Sequence, residues 1–335
     1  MEQTLPTKSP TTAIARPERG WERFLGMRNP RNFARMLIMP AQLLLLAIVV
    51  FPLLMEVYIS MTSWTPTRGG NWWDAYKYWD WGKNYIELLG DSYFWAALGR
   101  TALIVTVAVS LEFLFGLGLA FLFLDSFRGK GIFHTILLTP MMMVPAVVGY
   151  MFFMLFQSSG PINAILSALT GLNVKIPWLT NGSWAMVAVI IAEVWQWTPL
   201  MFLILLSGLL GMPEDQMRAA TILGASFSQR FRYLMWPILK PVVVIALVIR
   251  GMEAVKIFDS IFLMTGGGPA RATESISIYM YKLAFKDIRW SYAAAAAIFI
   301  LVIMTVIASY ALRPLQSPDK RQATQPSEGS SHVQA

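Results

Sequence analysis

Cysteine is absent from this 335-residue chain, and histidine occurs only twice, at His134 and His332. These two gaps exclude disulfides, thiolate metal sites and a histidine-built metal centre, so redox and metal chemistry are not expected. Charge is scarce as well: 14% of residues are charged against 56% apolar, and mean hydropathy is +0.53. That balance belongs to a membrane protein, not to an average soluble domain. The motif inventory is equally sparse. G-x-x-x-x-G-K-[ST], HExxH, GxSxG and DxDxDG do not occur, which leaves no Walker-type phosphate cradle and no recognisable catalytic set.

What the chain does have is long apolar runs. A bilayer core needs about 20 mainly apolar residues per spanning helix, and six stretches qualify: 36–61, 97–124, 132–157, 184–210, 242–264 and 291–313. The expected fold is therefore an all-α membrane protein with six transmembrane helices. The net charge of +8 follows membrane topology instead of marking a nucleic-acid surface. Sixteen basic residues fall before the first span, in alternate loops and at the end; eight fall in the other loops. The positive-inside rule then predicts that both termini are cytoplasmic. Some 35 mostly polar residues precede the first apolar run and no small-residue cleavage site follows it, so this run is read as a retained span and not as a signal peptide.

The expected organisation is a basic cytoplasmic tail over 1–35, a six-helix transmembrane domain over 36–313, and a disordered cytoplasmic tail over 314–335. The first outward loop, 62–96, is crowded with tryptophan and tyrosine. That composition fits first an interfacial aromatic belt with a short amphipathic helix, and second a docking surface for an external protein that delivers a sugar. In the second outward loop, Gly160-Pro161 and Asn181-Gly182 bracket a short helix; in the third, Gly266-Gly267-Gly268-Pro269 forces a turn.

The inward stretch "EDQMRAATILGASFSQRFRYLMWPILKP", residues 214–241, is too polar to cross a bilayer. Pro213 suits a first helical position, and Glu214 and Asp215 complement the exposed N–H groups of a first turn. Gly224 can end that helix in the left-handed conformation, and Ser226 with Gln229 forms a capping box for a second. On the second helix Phe227, Phe231 and Leu234 make one apolar stripe, and Pro237 and Pro241 are expected to end it before the fifth span. Such a segment could lie on the inner leaflet or serve as a socket for a cytoplasmic partner.

The run Pro213-Glu214, Arg218-Ala219-Ala220, Gly224-Ala225, Phe231 and Pro237 with Pro241 resembles the EAA loop of binding-protein-dependent ABC importer permeases. "TGGGPARAT" and "YMYKLAF" further on are similar to the ending of the carbohydrate-uptake branch. The resemblance implies a type I importer permease-like fold in which 213–241 is a coupling loop seated on a cytoplasmic ATPase subunit. Glu214, Arg218, Ala219, Ala220, Gly224, Ala225, Phe231 and Pro237 would then be the coupling residues. It also implies a homologous second permease subunit, two ATPase subunits and an extracytoplasmic sugar-binding protein as partners. ATP and Mg would be held on the ATPase subunits and no cofactor in this chain. Two residues depart from the pattern: Arg218 replaces the usual Glu and Leu223 the usual Asp. Arg218 is therefore expected to meet an acidic or carbonyl-lined part of the ATPase.

Charges within spans cost roughly 2.5–3.5 kcal/mol each at a helix centre, which makes them functional candidates. Arg250, Glu253 and Ala254 share one face of the fifth span, with Lys256 beyond; Glu193, Gln196 and Trp197 share one of the fourth. Arg250 and Glu253 could neutralise one another, or these residues could line a sugar path, hydroxyls meeting charged and amide partners and a ring stacking on Trp197. Arg250 with Lys256 would also admit a sugar bearing a sulfonate, phosphate or carboxylate. Family positions that contact sugar fall near Glu193, Gln196, Trp197, Arg250 and Ala254. The chain is thus expected to form half of the path of an ATP-driven sugar importer in a bacterial inner membrane and not to be an enzyme. An ion-coupled secondary sugar transporter is the competing class.

Overall fold

In the computed structural model the described residues are 30–316, with side chains described over 35–313. The basic tail expected over 1–35 lies outside the described residues except for its last few positions, and the tail expected over 314–335 lies outside them except for the helix end at 314–316. The chain divides into two compact units, Met1–Tyr58 and Ile59–Ala335.

The first unit is built on helix α1, which runs Pro30–Leu45, widens to a π-turn over Leu46–Val50 and resumes as Phe51–Ser60. The widened turn sits just before Pro52, which lacks an N–H and whose ring presses on the carbonyl four residues back; an i→i−5 turn relieves both. From Met36 to Leu54 its side chains are exposed, as suits a helix apolar on every face.

Among the described residues of the second unit the regular structure is helical, apart from the isolated antiparallel bridge between Thr62 and Trp79. A short α2 (Lys83–Gly90) leads to the long α3 (Ser92–Leu122). Asp91 caps α3 by accepting from the N–H of Tyr93 at 2.8 Å and of Phe94 at 3.4 Å. Its second oxygen accepts from the Tyr292 hydroxyl at 2.8 Å and from that of Tyr279, so one carboxylate ties three separate segments. Burial alone would raise the Asp91 carboxyl, but these four hydrogen bonds outweigh it and hold the group below the usual carboxylate range.

The stretch 132–157, expected as one helix, is two: α4 (Lys130–Met142) and α5 (Pro145–Leu155) meet at 97°. The cause is local. Pro145 disfavours a helical residue before it, and Val144 is accordingly extended, at φ −62 and ψ 131. The short helix foreseen in the next loop is α6 (Pro161–Thr170), after which Asn181 caps α7 (Gly182–Leu210) through the N–H groups of Ser183 and Trp184. Helices α1, α3, α7 and α13 (Trp290–Gln316) are each long and apolar enough to span a membrane, and the bent α4–α5 pair adds a fifth if counted as one span.

The stretch 242–264 departs from expectation at both ends. Its helix α10 begins at Trp236 and ends at Val255; after a break at 256–258 a six-residue α11 (Asp259–Met264) follows. Pro237 and Pro241 do not end the preceding segment. A π-turn over Phe231–Met235 accommodates the first, and the helix continues through the second.

Burial against a neighbour inside a bilayer is not driven by escape from water, so van der Waals fit and small residues decide where helices meet. A Cβ on Gly116 of α3 would lie 2.9 Å from the Phe202 backbone nitrogen of α7, and one on Gly149 of α5 would lie 2.8 Å from the Ser260 Cα of α11. These crossings bring the backbones close. Around them, Ile104, Phe152, Trp178 and Ile261 form one buried cluster, and Phe123, Phe202, Leu205 and Leu239 another.

Candidate translocation and coupling sites

Three helices each contribute one ionisable group to the interior. Arg250 of α10 donates from Nε to Glu112 Oε2 at 2.7 Å and from Nη2 to Glu112 Oε1 at 3.0 Å, a fork-to-fork pair. Nη2 also reaches Glu193 Oε1 of α7. The exposures are 2% for Arg250, 0% for Glu112 and 4% for Glu193, so no water screens the triad. The guanidinium carbon stands 5.0 Å from the Trp197 ring centre, which adds a cation–π contact on a third side. The planar, five-donor guanidinium is suited to holding two carboxylates and a ring at once; an ammonium is not.

Of the two readings open for Arg250 and Glu253, mutual neutralisation does not occur: Arg250 pairs with Glu112 and Glu193 instead. Glu253 accepts from Lys256 at 2.8 Å, both side chains more than half exposed. The true partner Glu112 was missed because it is a single acid within the apolar α3. The cost of one unpaired charge in a span was the available signal: a lone Glu there demands a cation, and Arg250 is the buried one. The fork of Arg250 is thus filled by Glu112, and Lys256 is engaged by Glu253, so neither is an open anion receptor.

The other residues expected to line a path have separate tasks. Gln196 is 1% exposed and donates to the Met143 carbonyl at 3.1 Å, satisfying a backbone group released by the break between α4 and α5. Ala254 sits in the apolar cluster with Val109 and Phe202. Trp197 is half-buried beside Arg250. Glu193, Trp197 and Arg250 are therefore brought together, whereas Glu253 and Lys256 stand on an exposed face. Among the described residues, cavities of about 670 and 680 Å³ are lined by none of these seven residues.

The loop 213–241 is built much as its residues foretell. Helix α8 (Glu214–Ile222) begins one residue later than expected, with Pro213 as the N-cap residue in extended conformation. Gly224 takes φ +75, the Ala225 N–H bonds the Ala220 carbonyl and the Gly224 N–H bonds the Thr221 carbonyl, each at 3.0 Å. This is a Schellman termination, which a glycine permits without Cβ strain. The capping box then forms in both directions, Ser226 N–H to Gln229 at 2.8 Å and Gln229 N–H to Ser226 at 3.3 Å, and starts α9 (Phe227–Arg230). Arg230 reaches back to the Thr221 hydroxyl at 3.0 Å and locks the angle between α8 and α9.

Phe227 and Phe231 stack on each other and both meet Phe121 near the end of α3, at 5.9 and 5.8 Å between ring centres. The apolar stripe thus anchors the loop to the bundle. From Phe227 the chain is helical without interruption to Val255, so a push on the loop acts on the same helix that carries Arg250. Arg218 lies 2.5 Å from Glu214 on the exposed side of α8. Ala219 is also exposed, Ala220 and Ala225 are half-buried, and Ile222 and Leu223 at the tip are 85% and 86% exposed.

Long apolar helices, kinked at prolines, with a paired triad inside and an exposed two-helix loop continuous with the helix that carries Arg250, fit a membrane permease. Residues 112–316 match the family described as "binding-protein-dependent transport system inner membrane component". The chain belongs to that family, as the EAA-loop resemblance implied, and is a multi-pass transport subunit of the inner membrane. It is 38% identical over 228 residues to the trehalose/maltose transport system permease protein MalF of Thermococcus litoralis, a match covering 67% of this chain and 75% of that one. It is 34% identical over 279 residues to the trehalose transport system permease protein SugA of Mycobacterium tuberculosis, covering 83% and 87%. A chain of a bacterial alginate ABC transporter, crystallised with an alginate-pentasaccharide-bound periplasmic protein, superposes with a TM-score of 0.72 at 20% identity, over 89% of this chain and 98% of that chain. The fold is that of a type I ABC importer permease.

Proposed function

We propose that the chain forms half of the translocation path of an ATP-driven importer for a sugar or sugar derivative, paired with a homologous permease. Two cytoplasmic ATPase subunits would hold ATP and Mg, and an extracytoplasmic binding protein would deliver the sugar. The sugar assignment is supported by the trehalose and maltose permeases among its relatives. Both termini are assigned to the cytoplasm on the distribution of basic residues, which puts the 213–241 loop on the same side.

The observation that carries the mechanism is the unbroken helical run from Phe227 to Val255. A displaced coupling loop moves α10 as a rod, and α10 is bolted to α3 and α7 by the Arg250 triad, so the three helices move together. Arg218, held by Glu214 in an exposed pair of little intrinsic strength, is available to an acidic or carbonyl-lined ATPase surface. Ile222 and Leu223 give that contact an apolar core where an acid usually stands.

The test is reconstitution with the products of the neighbouring reading frames. Expected results are co-purification with an ATPase and sugar uptake that requires ATP, weakened by Arg218→Glu. Uptake driven by an ion gradient without any ATPase would overturn the reading in favour of a secondary transporter; an unaltered Arg218→Glu complex would overturn the assignment of Arg218.

A further inference from the structure

Near the start of α3, three cations gather around a single acid. Arg100 of α3, Arg271 in the loop after α11 and Lys282, which follows α12 (Ile276–Tyr281), all approach Glu274. Glu274 is 1% exposed, and its carboxylate accepts from Lys282. The guanidinium groups stand further off, Arg100 Nη2 at 3.8 Å and Arg271 Nε at 4.0 Å. Three cations and one carboxylate leave a formal charge of +2. Asp91, at the start of α3, forms no ion pair with any of the three among the described residues.

Like charges repel, yet separate contacts hold these together. Arg100 Nε donates to the Glu274 backbone carbonyl at 3.0 Å, and the Arg271 guanidinium lies 4.2 Å from the Tyr93 ring centre. Ala270 and Arg271 are both left-handed, at φ +47 and +66, a conformation that is costly for a residue with a Cβ. Arg271 is thus aimed, but its donors are unspent: the side chain is 48% exposed and makes no hydrogen bond among the described residues. An accessible, orientated guanidinium in a cluster of net positive charge selects an anion.

What lies beneath the cations narrows the choice. At 1.5 Å per residue the 31 residues of α3 measure about 46 Å, the thickness of a bilayer with its headgroup layers. Arg100 is about 12 Å from the start of α3, so its Cα lies just inside the hydrocarbon and its long side chain reaches back to headgroup level. Tyr93, Ala96, Arg100, Leu103, Val107, Ser110 and Leu114 share one face of α3. Leu103 and Leu114 are 51% and 60% exposed there. A free oxyanion or an acidic side chain needs only the cations; an apolar strip directly below them suits an amphiphile. We propose that this is a binding site for an anionic phospholipid, its phosphate on Arg271 within the field of Arg100 and Lys282, and one acyl chain along Leu103 to Leu114. The opposite end of α3, at Phe121, meets the coupling loop, so the lipid belongs to the leaflet away from that loop. The site does not depend on which solute the chain transports.

The transport complex, purified in detergent, is titrated with phosphatidylglycerol and separately with phosphatidylcholine of the same chains, and native mass spectrometry counts bound lipid. Phosphatidylglycerol is expected to bind about fivefold more tightly, and Arg271→Gln to remove that preference, as the loss of one cation at a membrane surface implies. Leu103→Ala should weaken both lipids, and it keeps the test informative if Arg271→Gln perturbs folding. Lys286→Gln removes an exposed cation outside the cluster and should change neither. Equal binding of the two lipids, an undiminished preference in Arg271→Gln, or an equal loss in Lys286→Gln overturns the proposal. Displacement of the lipid by glycerol 1-phosphate overturns it in favour of a free-anion site. Crosslinking of a photoreactive residue at position 271 to a partner chain instead of lipid overturns it in favour of a protein interface.

Discussion

Replacing Arg250 by methionine removes the only cation from a site that holds two carboxylates. Three hydrogen bonds are lost, two to Glu112 and one to Glu193, and both acids are at most 4% exposed. Methionine matches much of the volume of the arginine stem, so a cavity is a minor part of the cost. The main part is the stranding of buried charge, typically about 3–5 kcal/mol when one partner of a buried pair is removed. Equilibrium unfolding in mixed micelles should show a loss of that size for Arg250→Met. The exposed Glu253–Lys256 pair is the internal control, and Lys256→Met should cost at most about 1 kcal/mol. Restoring neutrality in the triple variant Glu112→Gln, Glu193→Gln, Arg250→Met should recover most of the stability, because the penalty lies in unpaired charge and not in the lost pair itself. An Arg250→Met effect no larger than that of Lys256→Met would refute the reasoning, as would a triple variant less stable than Arg250→Met alone. If the triple variant regains stability yet stays uncoupled in ATP-driven uptake, the triad transmits motion between α10 and its neighbours.

Further outcomes follow from other contacts. Gly149→Val places side-chain atoms against the Ser260 backbone of α11, which cannot yield as a flexible side chain would; a loss of about 1–3 kcal/mol is expected in the same unfolding assay. Gly224→Ala puts a Cβ on a residue at φ +75, at a cost of about 1–2 kcal/mol, and should weaken ATPase coupling in uptake assays more than it lowers the melting temperature, because the strain falls on an exposed loop. Asp91 has a depressed carboxyl pKa in the folded state, so its stabilising effect is full above the ordinary carboxylate range and is lost as pH falls through the depressed value. Asp91→Asn should flatten that acid limb of the stability profile, and an unchanged profile would show that the Tyr279 and Tyr292 bonds do not favour the ionised form.

The sequence by itself determined the elements whose causes are local. Four of the six expected spans, the Gly224 closure of α8 at positive φ, and the Ser226–Gln229 box all follow from chemistry within a few residues, and the structure shows each of these; 132–157 is bent and 242–264 is broken. The turn at Gly266–Gly268 and the short helix after Gly160 were legible for the same reason. Where local signals competed, the sequence was ambiguous: Pro145 broke a run that hydropathy made continuous, whereas Pro237 and Pro241 failed to break one because a π-turn absorbed the lost hydrogen bond. Only the tertiary structure decided which charges belong together. Arg250 is three positions from Glu253 and 138 from Glu112, and proximity along the chain favoured the wrong partner. An exposed i, i+3 pair forms between Glu253 and Lys256 instead, because in the interior the carboxylate that counts is the one a neighbouring helix brings within reach, where no water competes for it.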